Sequence, residues 1–175
     1  MNKFQASIHH NEASVNGFAK AQFLLFQNKR RIVQMLLGVG LLILGAVLPE
    51  QRSWSLSLII AGCLILMDLP YVPRRTARQI LKSSQILGEV EYEFTDVRIR
   101  VRAGENETET LYRNICRLAE DKEYFYLFLN KGMAYTIAKN SLNPNDAEGF
   151  HDLLKQQTGL LWEKISSAKW FRLMR

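Results

Sequence analysis

The sequence predicts an α+β membrane protein: a two-helix transmembrane hairpin followed by an antiparallel strand meander that one C-terminal helix closes. Three observations carry this. Two stretches without a formal charge, Ile32 to Leu48 and Ser53 to Met67, lie back to back across the turn Pro49-Glu50-Gln51-Arg52. From Glu89 to Arg102 the residues alternate in polarity, as strands that bury one face do. An apolar pattern at helical spacing follows Asn143-Pro144. The organisation that results is an N-terminal strand and juxtamembrane helix over 1–31, the hairpin over 32–72, a second juxtamembrane helix over 73–87, the β-domain over 88–159 and a basic aromatic tail over 160–175.

The N-terminal segment begins as a strand, since Phe4, Ala6 and Ile8 alternate with Gln5 and Ser7. Asn11 or Ser14 can cap the helix that follows. Val15, Phe18, Leu25 and Phe26 give this helix an apolar side, and Gly17 weakens its middle. It either runs into the first span or lies along the lipid headgroups.

Crossing ~30 Å of hydrocarbon takes about 20 apolar residues at 1.5 Å each. The first span, 32–49, has eleven Leu, Ile and Val side chains. They favour insertion by about 3 to 7 kcal/mol, less a part for Gln34 and the glycines. The second span, 53–72, has eight Leu and Ile residues, and gains only about 2 to 5 kcal/mol. A carboxylate at the bilayer centre would cancel that gain, but Asp68 stands about 21 Å along the helix from Trp54, close to the far interface. There it serves either as a wetted helix end or as a proton-relay residue. Gly38, Gly45, Ser57 and Ala61 recur at one- or two-turn spacing, and let the hairpin close on itself or on another copy. A secretory signal is not expected, because about thirty residues precede the first span and no small-residue cleavage site follows it. Nor is a buried core hairpin, because neither stretch has a polar face.

Basic residues beside the spans set the orientation. Lys29, Arg30 and Arg31 precede the first span; Arg74, Arg75, Arg78 and Lys82 follow the second; the connecting turn has only Arg52, offset by Glu50. Both termini are therefore expected in the cytoplasm, in a multi-pass arrangement in the cell membrane. Trp54 and Tyr71 suit anchoring at the two interfaces. Much of the net charge of +6 lies in these flanks, so anionic lipid headgroups rather than nucleic acid are the expected partner. Beyond Pro70 and Pro73 a helix resumes from Thr76 to Leu87, with its basic face near the membrane and Gly88 as its stop.

In the β-domain, Val90, Tyr92 and Phe94 alternate with Glu89, Glu91 and Glu93, and Val97, Ile99 and Val101 alternate with Arg98, Arg100 and Arg102. Folding at Thr95-Asp96 pairs Phe94 with Val97, Tyr92 with Ile99 and Val90 with Val101 on the buried face. The solvent face then pairs Glu93 with Arg98, Glu91 with Arg100 and Glu89 with Arg102, and such opposed charges neutralise one another instead of forming a ligand site. Gly104 to Asn106 reads as a turn, and Thr108 to Arg113, Ile115 to Ala119, Tyr124 to Leu129 and Met133 to Ala138 read as strands. Asn130-Lys131-Gly132 makes a hairpin loop. Asn143 caps and Pro144 starts a helix with Ala147, Phe150, Leu153 and Leu154 on one face, which Gly159 stops.

The ordered blocks EVEYEFTDVRIRV, LYRNICRLAEDKEYFYLFLNKGMAYTIAKNSL and NPNDAEGFHDLLKQQ, placed after a two-span hairpin, resemble the YcxB-like family of small bacterial membrane proteins. The resemblance covers most of the chain and rests on an arrangement of strands, not on catalytic residues. It implies a cytoplasmic domain similar to the pleckstrin-homology (PH) barrel, with the final helix plugging one end, and it transfers no activity. The chain departs from the pattern in its tight turn at Thr95-Asp96 and in the tail after Gly159. Such a barrel needs one strand more than the six between Glu89 and Ala138, and Phe4 to Ile8 is expected to add it.

The cytoplasmic part has no paired carboxylates, nucleophile with a base, glycine-rich phosphate loop or metal-ligand cluster, so neither an enzyme nor a cofactor is expected. Cys63 lies in a span and Cys116 in the cytoplasmic part, which indicates neither a disulfide nor a metal site. His9, His10 and His151 have no Cys or carboxylate at ligand spacing around them. Lys131, Lys139 and Arg113 are expected at the surface, facing phosphates or simply solvated. In the tail, Trp162, Lys169, Trp170, Phe171 and Arg172 suit contact with the membrane interface or packing on the domain. The expected function is a non-enzymatic binding or regulatory module for a protein, peptide or lipid headgroup, anchored at the inner leaflet. The alternative is a subunit of an oligomeric transporter or pore, with Gly38, Gly45 and Asp68 as its working residues. Expected partners are the bilayer and its anionic headgroups, with a protein partner or further copies of the chain.

Overall fold

The computed structural model of the protein describes residues 4–47, 52–68, 71–82 and 88–165. Among them are two four-stranded sheets and five α-helices. The first sheet runs β1 (Phe4–His9), β2 (Glu89–Phe94), β3 (Arg98–Ala103), β4 (Asn106–Leu111), every neighbour antiparallel. The second has the order β7 (Met133–Ala138), β6 (Tyr124–Asn130), β5 (Arg117–Glu120), β8 (Trp162–Lys164), with β8 parallel to β5. The helices are α1 (Glu12–Phe26), α2 (Asn28–Val47), α3 (Arg52–Asp68), α4 (Val72–Lys82) and α5 (Ala147–Thr158).

The class is the mixed α+β one expected, but the sheets do not close into a barrel. Gln5 and Asn143 exchange two backbone hydrogen bonds of 2.7 Å, which join the β1 edge to the chain leaving β7. The opposite edges, β4 and β8, belong to different sheets. β1 pairs with β2 along its whole length, and Phe4, Ala6 and Ile8 are buried. Between the sheets the α5 ring of Phe150 meets Phe94, Phe125 and Phe4 at centroid distances of 4.8, 5.1 and 5.4 Å.

Four local expectations are corrected. The β2-β3 turn is not a two-residue one: Phe94 lies opposite Ile99, Tyr92 opposite Val101 and Glu93 opposite Arg100. A two-residue turn matching strand twist needs positive φ, and among the described residues only glycines have it. The Thr95 hydroxyl instead accepts from the Arg98 N–H at 3.1 Å and donates to the Arg98 carbonyl at 2.8 Å, spreading the loop over four residues. The shift is even, so both faces survive while every pair changes, and Val97 is left 65% exposed. β4 starts two residues earlier than expected and gives way to a single helical turn, Tyr112–Asn114. The cap of α5 is Asp146, whose carboxylate accepts from Gly149 N–H, because Asn143 is engaged with Gln5. Finally, α4 begins at Val72, four residues ahead of Thr76, since Pro73 is tolerated in a first turn; residues 83–87 lie outside the described residues.

Asn11 and Ser14 cap α1 together, each side chain accepting from the other's N–H. The helix crosses the outer face of the second sheet, where Ala21, Phe18 and Phe26 pack with Tyr126 and Phe128. α4 packs on α1 through Ala77, Ile80 and Leu81 against Val15 and Ala19. α2 and α3 lie against each other. A Cβ on Gly62 would stand 2.8 Å from the Gly38 carbonyl, and the Ser55 hydroxyl donates to the Gly45 carbonyl. Gly62 and Ser55 thus join Gly38 and Gly45 at this contact, in addition to the residues expected there.

Among the described residues one helix, within Lys29–Val47, is long and apolar enough to cross a membrane, and little of it is buried. α3 has 17 residues, about 26 Å of helix. Alone it stands at the short limit of what crosses a bilayer, and counted with α4 it makes a broken span bent by 54°. The second span expected over 53–72 is therefore divided at the end of α3.

Candidate binding face

The outward residues of the first sheet build a charged surface. In register, Glu91 faces Arg102 and Glu93 faces Arg100 across β2-β3; Arg100 faces Glu109 and Arg102 faces Glu107 across β3-β4. The arginine strand therefore lies between two acidic ones. Arg100 is the hub: Nη1 is 2.9 Å from Glu93, Nε 2.9 Å from Glu107 and Nη2 3.2 Å from Glu109. Arg98 also donates to Glu109, and Arg102 Nε lies 3.6 Å from Glu107. The hydrogen bond to Glu109, and then the neighbouring carboxylates, hold the Arg100 pKa above its ordinary value. Donation by Arg98 holds the Glu109 carboxyl below its own. The expected pairs of Glu91 with Arg100 and Glu89 with Arg102 do not form. Glu107 and Glu109, absent from the sequence-based ladder, supply most of the partners. Their signal is the alternation of Glu105, Glu107 and Glu109 with polar residues, which lacks the apolar half that marks a strand.

An open cleft of about 290 Å³ runs beside this ladder, lined by Gln5, Ser7, Glu91 and Asn143 with Arg100 and Arg102. A hollow of about 680 Å³ adjoins it through Glu91 and Arg102, towards His10 and Gly104. Glu91 is exposed and has no hydrogen bond or ion pair among the described residues. On this face Glu89, Glu91, Glu93, Glu107 and Glu109 outnumber Arg98, Arg100 and Arg102, so it is acidic within a basic chain. Such a surface attracts cations and retains unspent acceptors to orient them. His10, at the hollow's rim, hydrogen-bonds Ser14 at 3.5 Å, and burial, then His9, lowers its pKa. Among the described residues no group of three or more His, Cys, Asp or Glu side chains could hold a metal.

The basic residues expected at the membrane are placed at the base of the hairpin or on α4. Lys29 and Arg30 are exposed in the first turn of α2, whereas Arg31 is buried at 5% exposure. Arg74, Arg75 and Arg78 are exposed on α4, whereas Ala77 is buried. Arg75 pairs with Asp68 at 3.0 Å across the α3-α4 break. Trp54 and Tyr71 are 68% and 49% exposed. Trp162 belongs to β8 and is half-buried: its ring stacks on His151 at 4.6 Å, and its Nε1–H donates to the His151 carbonyl. Lys169, Trp170, Phe171 and Arg172 lie outside the described residues.

A domain of two antiparallel-rich sheets plugged by a helix, with an apolar helix attached, is the class these features define. Residues 94–154, from the end of β2 into α5, match the family described as YcxB-like protein. The match takes in the ladder's β3 and β4 and the plugging helix, and leaves out β1, α1 and the apolar helices. No curated protein and no solved structure matches the chain.

Proposed function

We propose that the chain is a small bacterial membrane protein of the cell membrane, with α2 and α3 both crossing the bilayer and both termini cytoplasmic. Its two-sheet domain is a PH-like, non-enzymatic binding or regulatory module held at the inner leaflet. The observation that carries this reading is the hairpin itself. Leu36, Ile43, Leu64 and Met67 on its outer sides are 68%, 59%, 62% and 64% exposed, an apolar surface that water does not tolerate and lipid does. The base of that hairpin is tied to the domain through α1 and α4. The carboxylates of the ladder, which outnumber its arginines, suit a basic segment of a protein or peptide, and the cations of α2 and α4 suit anionic headgroups.

Cysteine accessibility in intact cells tests the topology, in a background of Cys63→Ala and Cys116→Ser. Gln51→Cys is expected to react with an impermeant maleimide from outside, and Lys122→Cys only after permeabilisation. Reaction of both from outside overturns the reading. Proximity crosslinking in native membranes tests the module: a recurrent cytoplasmic partner lost on Glu91→Lys supports it, while self-crosslinks alone point to an oligomeric transporter or pore.

A further inference from the structure

We infer that the β6-β7 hairpin tip, Lys131 to Met133, is a second membrane contact, which binds the headgroups of anionic phospholipid beside the base of α2. The inference rests on the membrane reading above. Gln22 Nε2 donates to the Lys131 carbonyl at 2.7 Å, fastening the tip to the last turns of α1. At the same end of the second sheet, Arg117 donates to the Leu25 carbonyl and lies 5.1 Å from the Phe26 ring. Phe128, opposite Arg117 in register, meets Phe26 at 5.1 Å. This end of the sheet is therefore held where α1 gives way to α2. Lys29 stands seven positions after Gln22, a rise of roughly 10 Å at helical spacing, and a headgroup layer with a lysine side chain bridges about that distance.

The tip has the composition for this. Asn130 Oδ1 accepts from the Gly132 N–H at 2.8 Å and closes the loop. Met133 is 52% exposed, and the exposed Lys131 side chain has no partner among the described residues. A cation beside an exposed apolar side chain is how interfacial segments combine charge attraction with shallow burial. The opposite end of the same strands balances its charges: Asp121 and Glu123 flank Lys122, Asp121 accepts from the Glu123 and Tyr124 N–H groups, and Lys139 pairs with Glu120 at 2.8 Å.

The test uses the full chain in vesicles of phosphatidylcholine with or without phosphatidylglycerol, in the Cys63→Ala, Cys116→Ser background. An environment-sensitive dye is placed at Met133→Cys, Lys122→Cys or Leu44→Cys, and quenched by a spin label at headgroup depth or deep in the acyl chains. The expected result is headgroup-depth quenching at position 133, stronger with phosphatidylglycerol, none at 122, and deep quenching at 44. Adding Lys131→Gln should weaken contact at 133 about fivefold. If position 133 stays as aqueous as 122 while 44 is quenched, the tip inference is overturned and the membrane reading stands. An aqueous position 44 overturns both. Quenching at 133 that ignores both phosphatidylglycerol and Lys131→Gln overturns the assignment to anionic headgroups.

Discussion

A Cβ on Gly17 would run into the Tyr126 hydroxyl, which donates to Asp121 Oδ2 at 2.6 Å. A glycine that weakens a helix in isolation is thus the residue that lets the helix lie on its sheet. Gly17→Ala should lower stability by about 1 to 3 kcal/mol through overpacking, although alanine is the better helix former by about 1 kcal/mol. Denaturation of the detergent-solubilised chain checks this, with Gly40→Ala, which meets nothing within 4 Å, as the control. Tyr126 also predicts a pH dependence. Burial, then its bond to Asp121, raises its pKa above the ordinary 10.0, so the folded state keeps a proton that the unfolded state releases. That stabilisation is complete below pH 10 and lost as pH rises further. Unfolding midpoints should fall above that pH, and less steeply in Tyr126→Phe; some slope remains because burial raises Tyr92 and Tyr112 too.

The charged ladder is an element whose type was legible and whose pairing was not. Alternation identified β2 and β3, because a strand's side chains change face at every residue. The turn that sets register depends on one hydroxyl, at Thr95, and no alternation reports it. Because Arg100 serves three carboxylates, Arg100→Ala should shift the unfolding midpoint further than Glu107→Ala, which leaves the other partners in place. Glu109 adds an acid limb: its carboxyl is held below the ordinary 4.5, so its contribution is present above that pH and fades as pH falls through the folded value. Acid titration of Arg98→Gln, in which the Glu109 shift shrinks, should move that limb upward. α4 was also visible from its pattern, with Ala77, Ile80 and Leu81 packed on α1 and its arginines exposed. That its partner is α1, reached across the whole hairpin, no local pattern states.

At the scale of the molecule, the chain begins and ends its core at the same place. β1 completes the first sheet from the far side of the hairpin in sequence, and Gln5 with Asn143 then joins the sheets. Gln5→Cys with Asn143→Cys should therefore crosslink on mild oxidation, since residues that exchange backbone bonds are close enough for a disulfide. Mobility of the oxidised full chain on non-reducing gels checks this, and failure to crosslink would detach β1 from the domain. Phe150→Ala removes the ring that three phenylalanines from three strands surround, and should cost about 3 to 5 kcal/mol. The need for an N-terminal strand was legible by counting strands. The opening between β4 and β8 was not, since closure depends on sheet edges meeting in space.

What the sequence determined by itself is local: the uncharged stretches, the strand and helix periods, the caps at Asn11 and Gly159, and the cations at the hairpin base. Periodicity and charge reveal these because neighbours along the chain are neighbours in the element. Only the tertiary structure decided the register at Thr95, the carboxylates around Arg100, the open barrel and the seating of Lys131 over Gln22. Each of these is a contact between residues whose proximity arises from folding, and for such contacts the intervening sequence carries no signal.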